Sequence, residues 1–223
     1  MGAIAAMSPV AWFAALERAW LLYHLDNLQF RFMFEAPPAN EWVALDCETT
    51  GLNVNTDEII SIAAVRINGN RVMTSERIEL LVRPEKRIST ESVRIHQLRE
   101  QDVAQGTALD AAMTQLMHFI GSRPLVGYYL EFDLAMIDRA VAPILGGNMG
   151  LPQRRNEVSA MYYDYKFRQL PRHLRDNPVI DLRFATLMND LDLPLRNAHD
   201  ALNDAVMAAL AFVKLRQLLA TGK

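Results

Sequence analysis

The sequence predicts an α/β protein in which helices cover a mixed β-sheet. Strand patterns come first along the chain, two of them joined by a hairpin signal, and strands alternate with helices only later. Strands joined by a hairpin pair antiparallel, whereas strands reached through a helix pair parallel, so one sheet should contain both arrangements. With 223 residues, 51% of them hydrophobic, the chain can form one domain with a sizeable core and an appendage.

The first half of the chain provides a helix and three strands. Apolar residues at helical spacing over 8–34 predict an N-terminal helix, which the sequence EAPPANE breaks. Residues 68–70, with the sequence NGN, predict the hairpin turn between the second and third strands. The predicted strands are Trp42–Cys47, Ile59–Ile67 and Arg71–Val82. We therefore expect a helical extension at 1–40 and a main domain at 41–223.

The second half alternates between helix and strand patterns. The sequence PLVG at 124–127 predicts a short buried strand, and residues 148–177, which are polar and aromatic, are predicted to be irregular. The predicted helices are Leu109–Ile120, Leu134–Leu145, Val179–Asn189 and Ala201–Leu219. Leu134–Leu145 should end at the two glycines that follow it.

Composition excludes several classes of protein. The net charge of −3 argues against a protein that coats nucleic acid through bulk positive charge. Cys47 is the only cysteine, so the chain has neither an intrachain disulfide nor a thiolate zinc site, as suits a reducing cytoplasm. The apolar start is interrupted by Glu17 and Arg18, which predicts neither a signal peptide nor a membrane anchor. We expect a cytoplasmic protein.

Two acidic residues interrupt the first strand near its end. In VALDCETTGL, Asp46 and Glu48 are two positions apart, so their side chains point to the same face of the strand. Two carboxylates on one patch repel each other unless water solvates both or a cation lies between them. The strand alone leaves both explanations open.

Two later acidic residues can reach the same end of the sheet. Asp133, in GYYLEFD, starts a helix directly after the short buried strand. Asp204, in HDALNDA, lies among alanines, which let a helix approach the sheet closely. His199 precedes Asp204 by five residues, and Asn197 can cap this helix. Oxygen ligands without thiolate or clustered imidazole suit Mg²⁺ or Mn²⁺.

In this order, DCETTGL, GYYLEFD and HDALNDA resemble the three motifs of the DEDDh exonucleases, nearest to the branch that contains the proofreading epsilon subunit of DNA polymerase III. The similarity runs from about residue 42 to residue 219. It implies a ribonuclease H-like fold with a mixed five-stranded sheet flanked by helices. It also implies two Mg²⁺ ions, for which Mn²⁺ can substitute, held by Asp46, Glu48, Asp133 and Asp204. His199 would be the general base.

The resemblance further implies a substrate and a product. The enzyme would release nucleoside 5′-monophosphates from the 3′ end of single-stranded DNA or short oligonucleotides, alone or with a DNA polymerase or repair partner. Thr49 and Leu52 match family positions that touch the terminal nucleotide, and Ile95 and His96 resemble a pair near it. Where many relatives have His-Asn after the second-motif glycine, this chain has two tyrosines, of which Tyr129 would contact substrate.

Other interpretations remain open at this stage. An RNA-trimming enzyme could use the same site, a catalytically silent binding or scaffolding subunit could keep the fold, and Asp46 with Glu48 could be a glycosidase pair. The basic aromatic segment 153–175 could track phosphates through Arg154, Arg155, Lys166 and Arg168, but a surface helix with inward-facing aromatics is favoured. The oligomeric state is open.

Overall fold

The computed structural model describes residues 16, 18–147, 149–196 and 199–221. Its five-stranded sheet has the order β3-β2-β1-β4-β5. The strands are β1 (Glu41–Thr49), β2 (Ile59–Asn68), β3 (Arg71–Leu81), β4 (Leu125–Gly127) and β5 (Arg155–Glu157). The pairs β1–β2 and β2–β3 are antiparallel, and the pairs β1–β4 and β4–β5 are parallel. The predicted mixed sheet is confirmed.

Helices cover both faces of the sheet. They are α1 (Thr90–His96), α2 (Glu100–Val103), α3 (Leu109–Ile120), α4 (Leu130–Leu145), α5 (Val158–Gln169), α6 (Phe184–Asp190) and α7 (Ala201–Thr221). Short 3₁₀ helices occupy Leu28–Phe34 and Arg172–Leu174. Among the helices within the described ranges, none combines the length and apolar character needed to cross a bilayer.

The alternation of side chains along β1 divides the core into two parts. Leu45 packs with residues of α3 and α4 on one face, whereas Ala44 packs with α5, α6 and α7 on the other. Asp46 and Glu48 have the parity of Ala44 and therefore point to the α7 face. The buried alanines of α7 bring that helix close to β1, which positions its first turn at the end of the strand.

The N-terminal helical pattern is interrupted in the structure. Residues 18–23 are helical, but the chain turns at 24–27, where the N–H groups of Asp26 and Asn27 both donate to the Leu145 carbonyl. The 3₁₀ helix that follows buries Phe30 and Met33. The predicted single helix over 8–34 is therefore wrong after residue 23, because contacts with the end of α4 stop it, and residues 8–15 lie outside the described ranges.

The segment 148–177 is not irregular as predicted, because it contains β5 and α5. Strand β5, which pairs with β4, has only three residues and is too short to show a periodic pattern in the sequence. Helix α5 buries Tyr162. Two helix starts were also misplaced. Helix α4 begins at Leu130, four residues before the predicted start, and α6 begins at Phe184, because the Val179–Arg183 stretch is not helical.

Candidate active site

Three carboxylates meet at the C-terminal end of β1. One oxygen from each of Asp46, Glu48 and Asp204 lies within 4.8 Å of the other two. Strand parity places Asp46 and Glu48 side by side, and the first turn of α7 adds Asp204 from above the same face. Residues more than 150 positions apart in sequence therefore form one acidic cluster.

Asp133 lies beside this cluster but is not one of the three carboxylates that lie within 4.8 Å of one another. Its carboxylate Oδ1 accepts a hydrogen bond of 3.1 Å from the Cys47 amide, the residue between the two strand acids. The Val43 amide donates to the Pro124 carbonyl, so Cys47, four residues later, also points its N–H towards β4. Because β4 ends at Gly127, the described strands offer no carbonyl group to this N–H. The Asp133 carboxylate, from the first turn of α4, accepts it instead.

His199 is connected to the cluster through its backbone. Its amide donates to Asp204 Oδ2 over 2.8 Å, and its φ of +68° places it in the left-handed region, where residues other than glycine are uncommon. This turn leaves the His199 side chain exposed beside the carboxylates. Asp200 caps α7 by accepting the Asn203 amide at 2.9 Å. The predicted cap, Asn197, lies outside the described residues.

Burial, with repulsion between neighbouring carboxylates, raises the pKa of each of the four proposed ligands. Burial first, and then the charges of Asp133 and Asp204, raise the pKa of Asp46 well above its ordinary value. Burial and the charge of Asp204 raise the pKa of Glu48 to about 7. Burial raises the pKa of Asp133 to about 8 against the opposing hydrogen bond from Cys47. Burial also raises the pKa of Asp204. The cluster would hold its negative charge more easily with a cation present.

The donor set fits a hard divalent cation. Asp204 Oδ1 is buried and has no hydrogen-bond partner among the described residues, although its other oxygen is satisfied by His199. A buried carboxylate oxygen without a hydrogen bond, in a group of three carboxylates, raises the free energy of the folded protein. A bound ion would remove this unfavourable contribution. Oxygen-only ligands favour Mg²⁺ or Mn²⁺ over zinc or copper.

A cleft of about 680 Å³ opens beside the carboxylates. Its lining includes Glu48 and His199 together with Ile95 and His96 of α1. The Thr50 carbonyl accepts the Ser92 hydroxyl at 2.8 Å, which ties α1 to the loop after β1. The predicted Ile-His pair thus lies in the same cleft as Glu48 and His199.

The predicted nucleotide contacts differ in exposure. Leu52 is 82% exposed and Ile95 is 44% exposed, so both present apolar surface to solvent. Thr49 is buried, and its hydroxyl donates to the Gly51 carbonyl at 2.6 Å. His96 is also buried, and its Nδ1 accepts a hydrogen bond from the Leu98 amide at 3.1 Å. The ring proton is therefore on Nε2, which has no hydrogen-bond partner among the described residues. Burial lowers the pKa of His96, which favours this neutral ring.

Three of the four basic residues proposed for phosphate contact in segment 153–175 bind other groups of the protein itself. Arg155 pairs with Asp138 at 3.0 Å, and Lys166 pairs with Asp190 at 2.7 Å. Arg168 donates to the Leu219 carbonyl at 3.2 Å. These contacts support the interpretation as a surface helix over that as a phosphate-tracking surface.

Glu157 is a residue that the sequence analysis missed. Its carboxylate accepts the amides of Tyr129 and Leu130 at 2.9 and 2.7 Å, and the amide and hydroxyl of Ser159 at 3.0 and 2.8 Å. It therefore caps the N-termini of both α4 and α5. An acid followed by Val-Ser at the start of a helical pattern was the available signal for the α5 cap, but no local pattern indicates the α4 cap.

Comparisons with known proteins agree with this geometry. The model of the RNase T exonuclease family matches residues 43–212. A PolC-type DNA polymerase III of Caldanaerobacter subterraneus subsp. tengcongensis is 26% identical over 185 residues, which cover 83% of this chain and 12% of that protein. A DNA polymerase III subunit epsilon-like protein of Rhodobacter capsulatus is 30% identical over 175 residues, 78% of this chain and 23% of that protein. This chain thus spans a small part of these relatives.

Solved structures share the fold. E. coli exonuclease I in complex with a dA16 oligonucleotide has a TM-score of 0.67 and 18% identity, covering 82% of this chain and 42% of that chain. Exonuclease X in complex with 5′ overhanging duplex DNA has a TM-score of 0.58 and 21% identity, covering 79% of this chain and 91% of that chain. Because the family model covers most of the sequence, the chain belongs to the RNase T exonuclease family and is of the DEDDh type.

Proposed function

We propose that this chain is a metal-dependent 3′-to-5′ exonuclease that removes nucleotides from single-stranded DNA or short oligonucleotides. The observation that carries the proposal is the convergence of Asp204 with Asp46 and Glu48, with Asp133 hydrogen-bonded to the peptide between the strand acids and His199 hydrogen-bonded to Asp204. Residues 41–223 would form the exonuclease domain. Exonuclease I, a structural neighbour, is known with a bound oligonucleotide, which supports the choice of substrate.

In this proposal each acid has a positional role. Asp46, Glu48 and Asp204 would hold two divalent ions together with Asp133. When bound, such ions neutralise charge on the phosphate and make the attacking water more acidic. The buried, unpaired Asp204 oxygen and the raised carboxyl pKa values support this use of the cluster.

His199 would accept the proton of the attacking water. Its exposed side chain borders the cleft, and histidine can exchange protons near neutral pH. The water oxygen would form a bond to phosphorus while the bond from phosphorus to the 3′ oxygen breaks. The leaving 3′ oxygen would take a proton from solvent water, and His199 would return its proton to solvent. The product is a nucleoside 5′-monophosphate and a strand shorter by one residue.

The other predicted contacts would hold the strand end. Thr49, Leu52, Ile95, His96 and Tyr129 are proposed to contact the terminal nucleotides. The apolar exposure of Leu52 and Ile95 suits contact with bases, and the buried N–H of His96 suits a polar contact. A DNA polymerase or repair partner is proposed from the relatives that carry similar segments.

The test is chain shortening of single strands labelled at the 5′ end. With Mg²⁺ we expect a ladder that shortens from the 3′ end and nucleoside 5′-monophosphates as products, and with EDTA we expect neither. Asp46→Ala and Asp204→Ala should abolish release. Asp110→Ala, which removes an exposed acid from the start of α3, is the matched control and should keep full activity.

Three outcomes would change the assignment. Retained activity in either site variant would contradict the metal assignment. Cleavage inside a strand blocked with a 3′ phosphate would indicate an endonuclease. Faster shortening of a matched RNA strand would make the enzyme an RNA-trimming exonuclease with the same site.

A further inference from the structure

Three aromatic rings lie against one another at the start of α4. The rings of Tyr129 and Tyr128 lie 4.4 Å apart and are tilted by 45° to each other. The ring of Tyr128 stacks on that of Phe184, also at 4.4 Å and with an interplanar angle of 28°. The Tyr128 hydroxyl donates to the Leu182 carbonyl at 2.7 Å. Stacking on Phe184 and the hydrogen bond to Leu182 hold the Tyr128 ring in place. The Tyr128 ring in turn supports the ring of Tyr129, which is more exposed.

The start of α4 locates these rings near the carboxylates. Strand β4 pairs in parallel with β1 and ends at Gly127, directly before the two tyrosines. Tyr129 is the N-cap residue of α4, and its carbonyl accepts the Phe132 amide at 3.1 Å. Asp133, the next residue of this first turn, accepts the Cys47 amide between the two strand acids. Tyr129 therefore lies one helical turn before a carboxylate of the site.

The backbone at Tyr129 is strained, and the fold alone does not require a tyrosine there. Its φ and ψ of 52° and 37° are left-handed, a region that costs a non-glycine residue on the order of 1 kcal/mol. Glu157 holds this conformation through the Tyr129 and Leu130 amides. The Tyr129 side chain is nevertheless 54% exposed, so core packing does not explain its ring.

We propose that Tyr129 is a stacking platform for an unpaired nucleobase near the 3′ end of the substrate. This inference rests on the proposed function, because it needs a strand end over the carboxylates. An aromatic face stacks on any base, so the platform would give affinity without sequence preference. It would also favour single strands, since bases in a duplex are already stacked on their neighbours.

The first test measures binding to fluorescent single-stranded DNA by anisotropy in EDTA and low salt, where no strand is cut. Tyr129→Gly removes the ring at a backbone angle that glycine accepts, and it should weaken binding about 5- to 150-fold. Tyr129→Phe keeps the ring and should bind within about twofold of the parent. Tyr23→Ala, which removes an aromatic side chain that is 85% exposed in the N-terminal segment, is the control and should not change affinity.

The second test locates the stacked base. Oligonucleotides with one abasic residue, moved stepwise from the 3′ end, are bound to the parent and to Tyr129→Gly. At one position near the 3′ end the two proteins should bind equally, because the ring has lost its partner there. Equal affinity of Tyr129→Gly and the parent for intact strands, or the same loss at every abasic position, would overturn the platform.

Two safeguards keep the result interpretable. If circular dichroism shows that Tyr129→Gly is unfolded, Tyr129→Asn replaces it, because asparagine tolerates the left-handed backbone and has no aromatic face. Strands that bind through Tyr129 but are never shortened with Mg²⁺ would refute the proposed function and leave the platform standing. Strands that are shortened without any dependence on Tyr129 would refute only the platform.

Discussion

The double cap made by Glu157 gives a prediction whose size follows from its contacts. Its carboxylate accepts four hydrogen bonds of 2.7–3.0 Å from the first residues of two helices. Among the described residues we find no other side-chain cap for α4, because its N-cap residue, Tyr129, makes no capping bond. Losing a cap costs about 0.5–2 kcal/mol per helix, so Glu157→Ala should lower the free energy of unfolding by about 1–4 kcal/mol.

The same substitution should weaken the metal site without touching a proposed metal ligand. Asp133 lies in the first turn of α4, and its bond to the Cys47 amide depends on where that turn begins. We therefore expect Glu157→Ala to reduce the rise in melting temperature that Mg²⁺ or Mn²⁺ produces. Glu157→Gln keeps one acceptor oxygen and should lose about half as much stability.

Glu131→Ala is the matched control for this experiment. Glu131 is an exposed acid in the same first turn, and it should contribute only a macrodipole interaction of about 0.3–1 kcal/mol. Denaturant unfolding followed by circular dichroism gives the free energies, and thermal melting with and without divalent ions gives the second readout. An effect of Glu157→Ala within about 0.5 kcal/mol of Glu131→Ala would refute the double cap.

Three further predictions concern the site and its surroundings. The folded-state pKa values of Glu48, about 7, and Asp133, about 8, lie above their ordinary values, so the stability that these two groups contribute in EDTA should be present in full below about pH 4 and be lost as the pH rises to about 8. Glu48→Gln should therefore make the fall in unfolding free energy between about pH 4 and about pH 8 smaller; a fall of unchanged size, measured by denaturant unfolding, would contradict this. His199→Asn, which suits the left-handed backbone, should lower kcat about 10²- to 10⁴-fold and preserve metal-induced stabilisation; an unchanged rate would remove His199 from the mechanism. Lys166→Ala should change single-strand affinity less than about twofold, because Asp190 already pairs with this cation; a larger loss in anisotropy would restore segment 153–175 as a binding surface.

Short-range patterns in the sequence predicted most of the sheet and the acidic patch. Alternation along β1 predicted that Asp46 and Glu48 share a face, because strand geometry repeats every two residues. The alanines around Asp204 predicted a close approach of the last helix, and the structure shows that helix over the same face. The hairpin at 68–70 was confirmed, since a glycine at φ +59° makes the turn.

Only the tertiary structure decided how Asp133 and Glu157 act. Asp133 contacts an amide 86 residues away because β4 ends early and leaves that N–H unpaired. Glu157 reaches amides 27 and 28 residues away because β5 pairs with β4. Local periodicity describes a residue and its neighbours within about one helical turn, so it carries no information on such contacts. The amino-acid sequence determined which side chains could perform the chemistry, and the pairing of short strands determined which backbone groups hold them in place.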